Sequence, residues 1–313
     1  MALDKYMKIR LNSLPPLQAI PFDLFVSIGG RFVHYLRAGD KLGAEKISSF
    51  ERKAPESFFI LSAERANYQK FVRDGLLSDH LDTKQKAQIL RESTMVLVEE
   101  LFERPDIETA LSDARQVVED FVAFMDSDAS AMANLIGLSS HDFYTYNHSL
   151  DVSIYSLGLG QFVGFRGDEL RELGLGGLFH DIGKRYVPIE IICKQGPLSD
   201  TEWAEMQRHP QYGLVILDEH QTPDAIKACA FEHHESMAGN GYPQNLTGHE
   251  IHPMARVVSV ADTYDALTTK RSYSEPMTPI AAIDLMSGKL SSRYDPEVMR
   301  ALVTIFEKLK NVA

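Results

Sequence analysis

The segment "ARVVSVADTYDAL" sets Asp262 inside a run that includes Val257, Val258, Val260 and Ala261. An ionised carboxylate among buried apolar neighbours is costly unless it is paired or bound to a metal. Any fold open to this chain must therefore bring a partner to that carboxylate. Asp181 makes the same demand, because it follows the apolar run "GLGGLFH". Imidazoles are the available partners. His148 lies in the helical pattern of "YTYNHSLDVSIYSLGLG", with Val152, Ile154, Tyr155 and Leu159 as its apolar positions. His180 stands at the end of an apolar helix, with Gly183 as a natural stop and Lys184 directly after it. His209 closes "SDTEWAEMQRHP", a helix that opens with a capping box of Ser199 and Glu202.

The stretch "FEHHESMAGNGYP", from Phe231 to Pro243, adds two adjacent imidazoles, His233 and His234. They precede Gly239-Asn240-Gly241, a turn suited to backbone-permissive residues, with glycine allowing φ > 0. The other histidines carry no such pattern. His80, His220, His249 and His252 sit in polar or turn contexts, His34 lies in a strand pattern, and His141-Asp142 is an incidental second pair.

Five imidazoles and two carboxylates on successive helices match the ligand needs of two divalent metals. Two such ions about 3.5–4 Å apart clamp a phosphoryl group and activate water. The pattern therefore predicts a phosphodiester hydrolysis site.

Composition narrows the alternatives. At 313 residues, two domains are expected. The formal net charge of −12 argues against a broad DNA-binding surface, which needs clustered Lys and Arg, but not against one small phosphorylated ligand. No apolar run has the length of a bilayer span, and the opening "MALDKYMKIRLNSLPPLQ" does not read as a signal peptide. The 2 cysteines, Cys193 and Cys229, form no CxxC pair, which points to a reducing compartment and so to the cytoplasm.

Three segments are expected. Residues 1–80 read as a small mixed α/β domain in the order β-β-α-β-α. "PFDLFVSI" places Phe22, Leu24, Val26 and Ile28 on one side, Gly29-Gly30 offers a hairpin turn, and "RFVHYL" returns. "AEKISSFERK" reads as helix, "ESFFIL" as strand and "AERANYQKFVRDGLL" as helix again. Residues 81–126 read as helical linker, with Ile89, Met95, Val96, Val98 and Leu101 near helical spacing before Pro105 interrupts. These helices pack on the next domain or form a homodimer surface. Residues 127–313 read as all-helical with long loops, so the fold class is α+β.

The ordered set "H…HD…H…HH…D" resembles the HD superfamily of metal-dependent phosphohydrolases. "GNGYP" and the run "NLTGHEIHPMARVVSVADTYDALTTKRSY" resemble its HD-GYP branch. The resemblance covers roughly Ser140 to Leu290. It implies a cyclic di-GMP phosphodiesterase releasing pGpG and then GMP, with diguanylate cyclases (GGDEF proteins) as partners of some members. It implies that His148, His180, Asp181 and Asp262 hold one metal, that His209, His233 and His234 complete the second, and that Asp181 bridges them. Iron is the expected metal, with manganese next and zinc last. Lys184, as the lysine of HD-xx-K, would stabilise charge on the scissile phosphate. Arg271 would hold the other phosphate or a guanine, and Gly241 and Tyr242 would meet the nucleotide. The first eighty residues resemble, more loosely, an accessory domain found ahead of HD-GYP domains.

Three positions depart from the family pattern. Ala238 replaces an aspartate before the GYP turn, which implies a looser loop. Tyr144 replaces a glutamate that holds a third metal in some members, which implies two metals. Ser274 replaces a second cation, which implies weaker phosphate binding. These departures leave two alternatives open, a cyclic di-GMP receptor with little turnover and a hydrolase of another nucleotide phosphoester.

Overall fold

The computed structural model describes residues 5–41, 58–103, 107–128, 130–138, 145–270 and 275–310. Close packing divides the chain into two units, one of 1–97 with 126–135 and one of 98–125 with 136–313.

The first unit contains a four-stranded antiparallel sheet in the order β1-β4-β2-β3. The strands are β1 (Tyr6–Ile9), β2 (Leu24–Ile28), β3 (Arg31–Leu36) and β4 (Phe58–Leu61). The hairpin between β2 and β3 turns at Gly29 and Gly30, with φ of 55° and 75°, a region that suits glycine. Alternation along the strands sends Met7, Ile9, Leu24, Val26, Phe58 and Ile60 to one face. Helix α1 (Arg65–Leu76) covers that face with Tyr68, Phe71 and Val72.

Two expectations change here. Strand β1 was not anticipated, because its four residues "YMKI" offer only two apolar positions to read. Ile28 does not join Phe22, Leu24 and Val26 in the core. It is 63% exposed, since it abuts the turn where the sheet ends. The expected helix at "AEKISSFERK" lies outside the described residues.

Helices α2 (Thr83–Glu103) and α3 (Ile107–Ser127) follow. Ile89, Met95, Val96, Val98 and Leu101 are all buried, as the spacing predicts. The expected linker is shared out, with residues 83–97 in the first unit and most of α3 in the second. Short α4 (Ala131–Gly137) comes next.

The second unit is helical. Its site is built on α5 (Thr145–Val163), α6 (Gly167–Phe179), α9 (His209–Glu219), α10 (Asp224–Glu232) and α11 (Pro253–Thr268). Between α6 and α9 lie short α7 (Ile189–Ile192) and α8 (Asp200–Met206). Helices α12 (Pro279–Ser287) and α13 (Pro296–Lys310) complete the unit. Helix α6 packs between α5 and α10. Its glycines allow this approach. A Cβ on Gly177 would lie 2.9 Å from Ser153 Cα, and one on Gly176 would lie 2.5 Å from Cys229 Sγ.

Candidate metal centre

Each candidate ligand sits at a helix end or on a buried helix face. His148 is in the first turns of α5, and His180 and Asp181 follow α6 directly. A 3₁₀ turn, Ile182–Tyr186, then carries Lys184. The capping box at Ser199 and Glu202 is present and starts α8. His209 opens α9 rather than ending the preceding helix, because Pro210 fits the first turn, where no backbone donor is needed. His233 and His234 follow α10, and Asp262 lies mid-way along α11. His148, His180, Asp181, His209 and His233 are all buried. His234 and Asp262 keep 19% and 13% of their side chains exposed, so the cluster opens on their side.

The seven residues converge. His148 Nε2 lies 3.2 Å from Asp262 Oδ1 and 3.6 Å from Asp181 Oδ2. His180 Nε2 lies 3.4 Å from Asp181 Oδ2 and 4.0 Å from Asp262 Oδ1. On the other side, Asp181 Oδ1 is 3.3 Å from His209 Nε2 and 3.9 Å from His233 Nε2. His234 Nδ1 is 3.9 Å from Asp262 Oδ2. Asp181 thus offers one oxygen to His148 and His180 and the other to His209 and His233. Three overlapping groups have ligand atoms close enough to share an ion: His148, His180 and Asp262; His209, His233 and His234; His180, Asp181 and His233.

The hydrogen bonds on the far side of each ring decide what these nitrogens can do. His180 Nδ1 donates to Gly177 O at 2.7 Å, and His209 Nδ1 donates to Met206 O at 2.7 Å. His233 Nδ1 donates to Cys229 O at 3.0 Å. A carbonyl only accepts, so each Nδ1 carries the proton and each neutral ring presents a lone pair at Nε2. His209 Nε2 and His233 Nε2 then face each other at 3.3 Å with no proton to share. Asp181 Oδ1 is buried without a hydrogen-bond donor. Opposed lone pairs beside an unpartnered carboxylate oxygen are unfavourable unless a cation lies among them. The donor set of imidazole nitrogen and carboxylate oxygen fits divalent metal ions.

Titration behaviour agrees. Burial pushes His209 down to about 4 and His233 down to about 3, with Asp181 opposing in both cases. Burial, with His233 and His209 adding to it, holds His234 well below the usual imidazole range. All three stay neutral and ligand-competent near pH 7. Burial also opposes charge on the carboxylates, yet Lys184 keeps Asp181 ionised, and His148 keeps Asp262 ionised. His148 differs, because burial is outweighed by Asp262 and Asp265, which raise it to about 9, so near pH 7 this ring carries a proton on each nitrogen and a bound ion would have to replace the one on Nε2.

Asp265 is a residue that the sequence reading missed. It sits one helical turn beyond Asp262, is 1% exposed, and accepts His148 Nδ1–H at 2.7 Å. It holds the Nδ1 proton of His148, as the carbonyls do for His180, His209 and His233. The signal was available as a second aspartate at i+3 on the same apolar helix. Asp265→Ala is expected to lower metal affinity by about 10–100-fold, with Asp265→Asn restoring part of it. Metal retained after dialysis against a chelator, beside unchanged circular dichroism, measures this. Unaltered retention in the alanine variant would remove Asp265 from this role.

Glu235 is a second omission. Its buried carboxylate accepts Gln244 N at 2.6 Å and Leu246 N at 3.0 Å. The GYP loop is therefore tied down despite Ala238, which itself pairs with Thr247 in an isolated bridge. Tyr242 stacks on His234 with ring centroids 4.7 Å apart and planes 29° apart.

The turn's two glycines differ in role. Gly239 has φ of 79°. Gly241 is not in the left-handed region, and it is needed because a Cβ there would lie 2.5 Å from Glu235 Cα. Gly183, expected as a helix stop, also serves close approach. A Cβ there would lie 1.9 Å from His209 O. Lys184 Nζ pairs with Asp181 Oδ2. Arg271, Ser274 and Tyr144 lie outside the described residues.

A helical unit that gathers five imidazoles around Asp181 and Asp262 has the donor set of the metal-dependent phosphohydrolase folds. The family model described as HD domain matches residues 130–298, so the chain belongs to that family, in its HD-GYP branch. The cyclic di-GMP phosphodiesterase PA4108 of Pseudomonas aeruginosa is 36% identical over 191 residues, covering 61% of this chain and 46% of that protein. The 3'3'-cGAMP-specific phosphodiesterase 2 of Vibrio cholerae is 32% identical over 174 residues, covering 55% of this chain and 33% of its own length. The chain thus spans less than half of either curated relative. A solved structure, Bd1817, an HDG"Y"P protein from Bdellovibrio bacteriovorus, shares the fold. Its TM-score is 0.74 at 23% identity, covering 96% of this chain and 99% of that one. Among the described residues no helix is long and apolar enough to cross a membrane.

Proposed function

We propose that this chain is a phosphodiesterase that hydrolyses cyclic di-GMP to pGpG, and then to GMP, at a binuclear metal centre. The observation that carries this reading is the division of Asp181, with Oδ2 beside His148 and His180 and Oδ1 beside His209 and His233. The names of the curated relatives support a cyclic dinucleotide as substrate. Five imidazoles with two carboxylates favour iron, then manganese, over the all-oxygen preference of magnesium or calcium.

His148, His180, Asp181 and Asp262 would hold one ion, and Asp181, His209, His233 and His234 the other. Bound divalent ions would supply Lewis acidity and an activated water at neutral pH. The protein's own residues do the rest. The outer hydrogen bonds of His148, His180, His209 and His233 leave Nε2 of each ring turned to the centre. Lys184 holds Asp181 ionised and brings positive charge to the centre, where it stabilises charge developing on the phosphate. Tyr242 keeps the His234 ring in place, and the more exposed side at His234 and Asp262 admits the phosphodiester.

A second substrate has support of its own, since several curated relatives are named for 3'3'-cGAMP. Protein purified anaerobically and loaded with iron or manganese should therefore be given each cyclic dinucleotide, with products resolved by chromatography. Faster release of pGpG from cyclic di-GMP is the expected result. Preference for 3'3'-cGAMP would transfer the assignment to that substrate. No product from either, with two metals bound, would make the chain a receptor or a hydrolase of another nucleotide phosphoester.

A further inference from the structure

We propose that Arg185 is a positioning residue that acts through Lys184: by capping the end of α2, it holds the short turn that presents Lys184 to the metal centre. The inference rests on the reading of Lys184, given above, as the cation that stabilises charge on the phosphate.

Helix α2 cannot satisfy its own last turn. The final carbonyls of a helix lack an intrahelical donor. For Leu101 that donor would be the amide of residue 105, and residue 105 is a proline, which has no N–H. Water is no substitute, because Leu101 is 1% exposed. A buried acceptor left unmatched is unfavourable. The final stretch of α2, "VEELFE", contains glutamates but no cation. The donor comes from a segment 84 positions further along the chain, where Arg185 donates from Nη1 to Leu101 O. Its guanidinium also brings positive charge to the negative end of the helix.

The same bond acts on the 3₁₀ turn Ile182–Tyr186, which carries Lys184 and Arg185 side by side. Lys184 N donates to Asp181 O at 2.9 Å, and Lys184 O accepts Val187 N at 3.1 Å, so the backbone is closed around the lysine. Gly183 brings the turn against α9, where an added Cβ would lie 1.9 Å from His209 O. Glycine permits that approach but has no side chain with which to hold it. Arg185 supplies the anchor, at the residue next to Lys184. Lys184 then reaches Asp181 Oδ2 on a long flexible stem. Its ammonium is placed well only if the backbone beneath it stays fixed, and small displacements of a positioned group are costly to rate.

The test is a double-mutant cycle on metal-loaded full chain. Arg185→Met keeps an unbranched apolar stem and removes the donors. It should lower kcat for cyclic di-GMP by about tenfold or more, with KM changed by less than about twofold, because Lys184 acts on charge that develops in the transition state. Metal content should match the wild type. In a Lys184→Met background, Arg185→Met should cost no further rate. Losses that multiply would make Arg185 merely structural, and an unchanged kcat in Arg185→Met would equally overturn the proposal. Arg185→Lys, which keeps a charged donor, should recover part of the rate, and it carries the same cycle if the methionine variant fails to fold. Hydrogen exchange followed by mass spectrometry needs no substrate. The peptide spanning 182–187 should exchange faster in Arg185→Met while α12 and α13 are unaltered, and unchanged exchange at 182–187 would remove the anchor. Failure of the underlying reading looks different. If Lys184→Met turns over as fast as the wild type, or the wild type with two metals bound cleaves no cyclic dinucleotide, the role of Lys184 falls and takes that of Arg185 with it.

Discussion

Asp181→Ala is expected to abolish turnover of cyclic di-GMP, by about 10³-fold or more, which corresponds to roughly 4 kcal/mol of lost transition-state stabilisation. The size of the effect follows from position. Asp181 is 1% exposed and faces four imidazoles, with each oxygen serving a different pair. Removing it leaves two half-sites with no shared anion, and leaves Lys184 without its partner. Metal content per chain should fall together with activity, as measured by elemental analysis after desalting. Circular dichroism should remain that of the wild type, because α5, α6, α9 and α10 pack through apolar side chains rather than through the carboxylate. A variant that kept both metals and full activity would end the assignment of Asp181 as the bridge.

Gly183→Ala is expected to destabilise the fold by about 3 kcal/mol, at the upper end of what overpacking costs. For a unit of this size that lowers Tm by roughly 6–12 °C. The added Cβ would lie 1.9 Å from His209 O and 2.4 Å from Gly213 N. Both are backbone atoms, so no rotamer change relieves the clash. The 3₁₀ turn has to move away from α9, and that turn carries Lys184 while α9 carries His209. Activity should therefore fall along with stability. Gly213→Ala provides the contrast. Its Cβ would meet Ala230 Cβ at 3.4 Å, ordinary contact, so its Tm should remain close to that of the wild type. Equal thermal denaturation curves for the two variants would refute the close-approach account of Gly183.

Much of the candidate site could be read from the sequence because its elements advertise themselves locally. A carboxylate such as Asp262, set among valines, demands a partner whatever the fold, and the number of imidazoles available to answer it is small. The helical spacing of Ile89, Met95, Val96, Val98 and Leu101 fixed a buried face without reference to any neighbour, and all five are buried. The Gly29-Gly30 hairpin was similarly legible, because it joins two strands adjacent in the chain and its turn chemistry is local.

Other features had at most a weak local signal. Asp265 looks like any helical aspartate until α5 and α11 are brought side by side, when it becomes the acceptor for His148 across 117 positions of sequence. Glu235 reads as a polar residue after two histidines, and only the fold shows both its oxygens holding the loop at Gln244 and Leu246. Strand β1 was hidden because its pairing partner, β4, lies some fifty residues away and its own four residues carry too little pattern.

The sequence by itself determined the residue types of the centre, their order and the helices that carry them, since helix periodicity and the cost of buried charge are properties of neighbouring residues. Tertiary structure alone decided which oxygen of Asp181 faces which imidazoles, which nitrogen of each ring is left with its lone pair, and why Gly183 and Gly241 admit no side chain. Those are relations between segments distant in the chain, set by how closely their backbones approach, and a linear pattern holds no record of such distances.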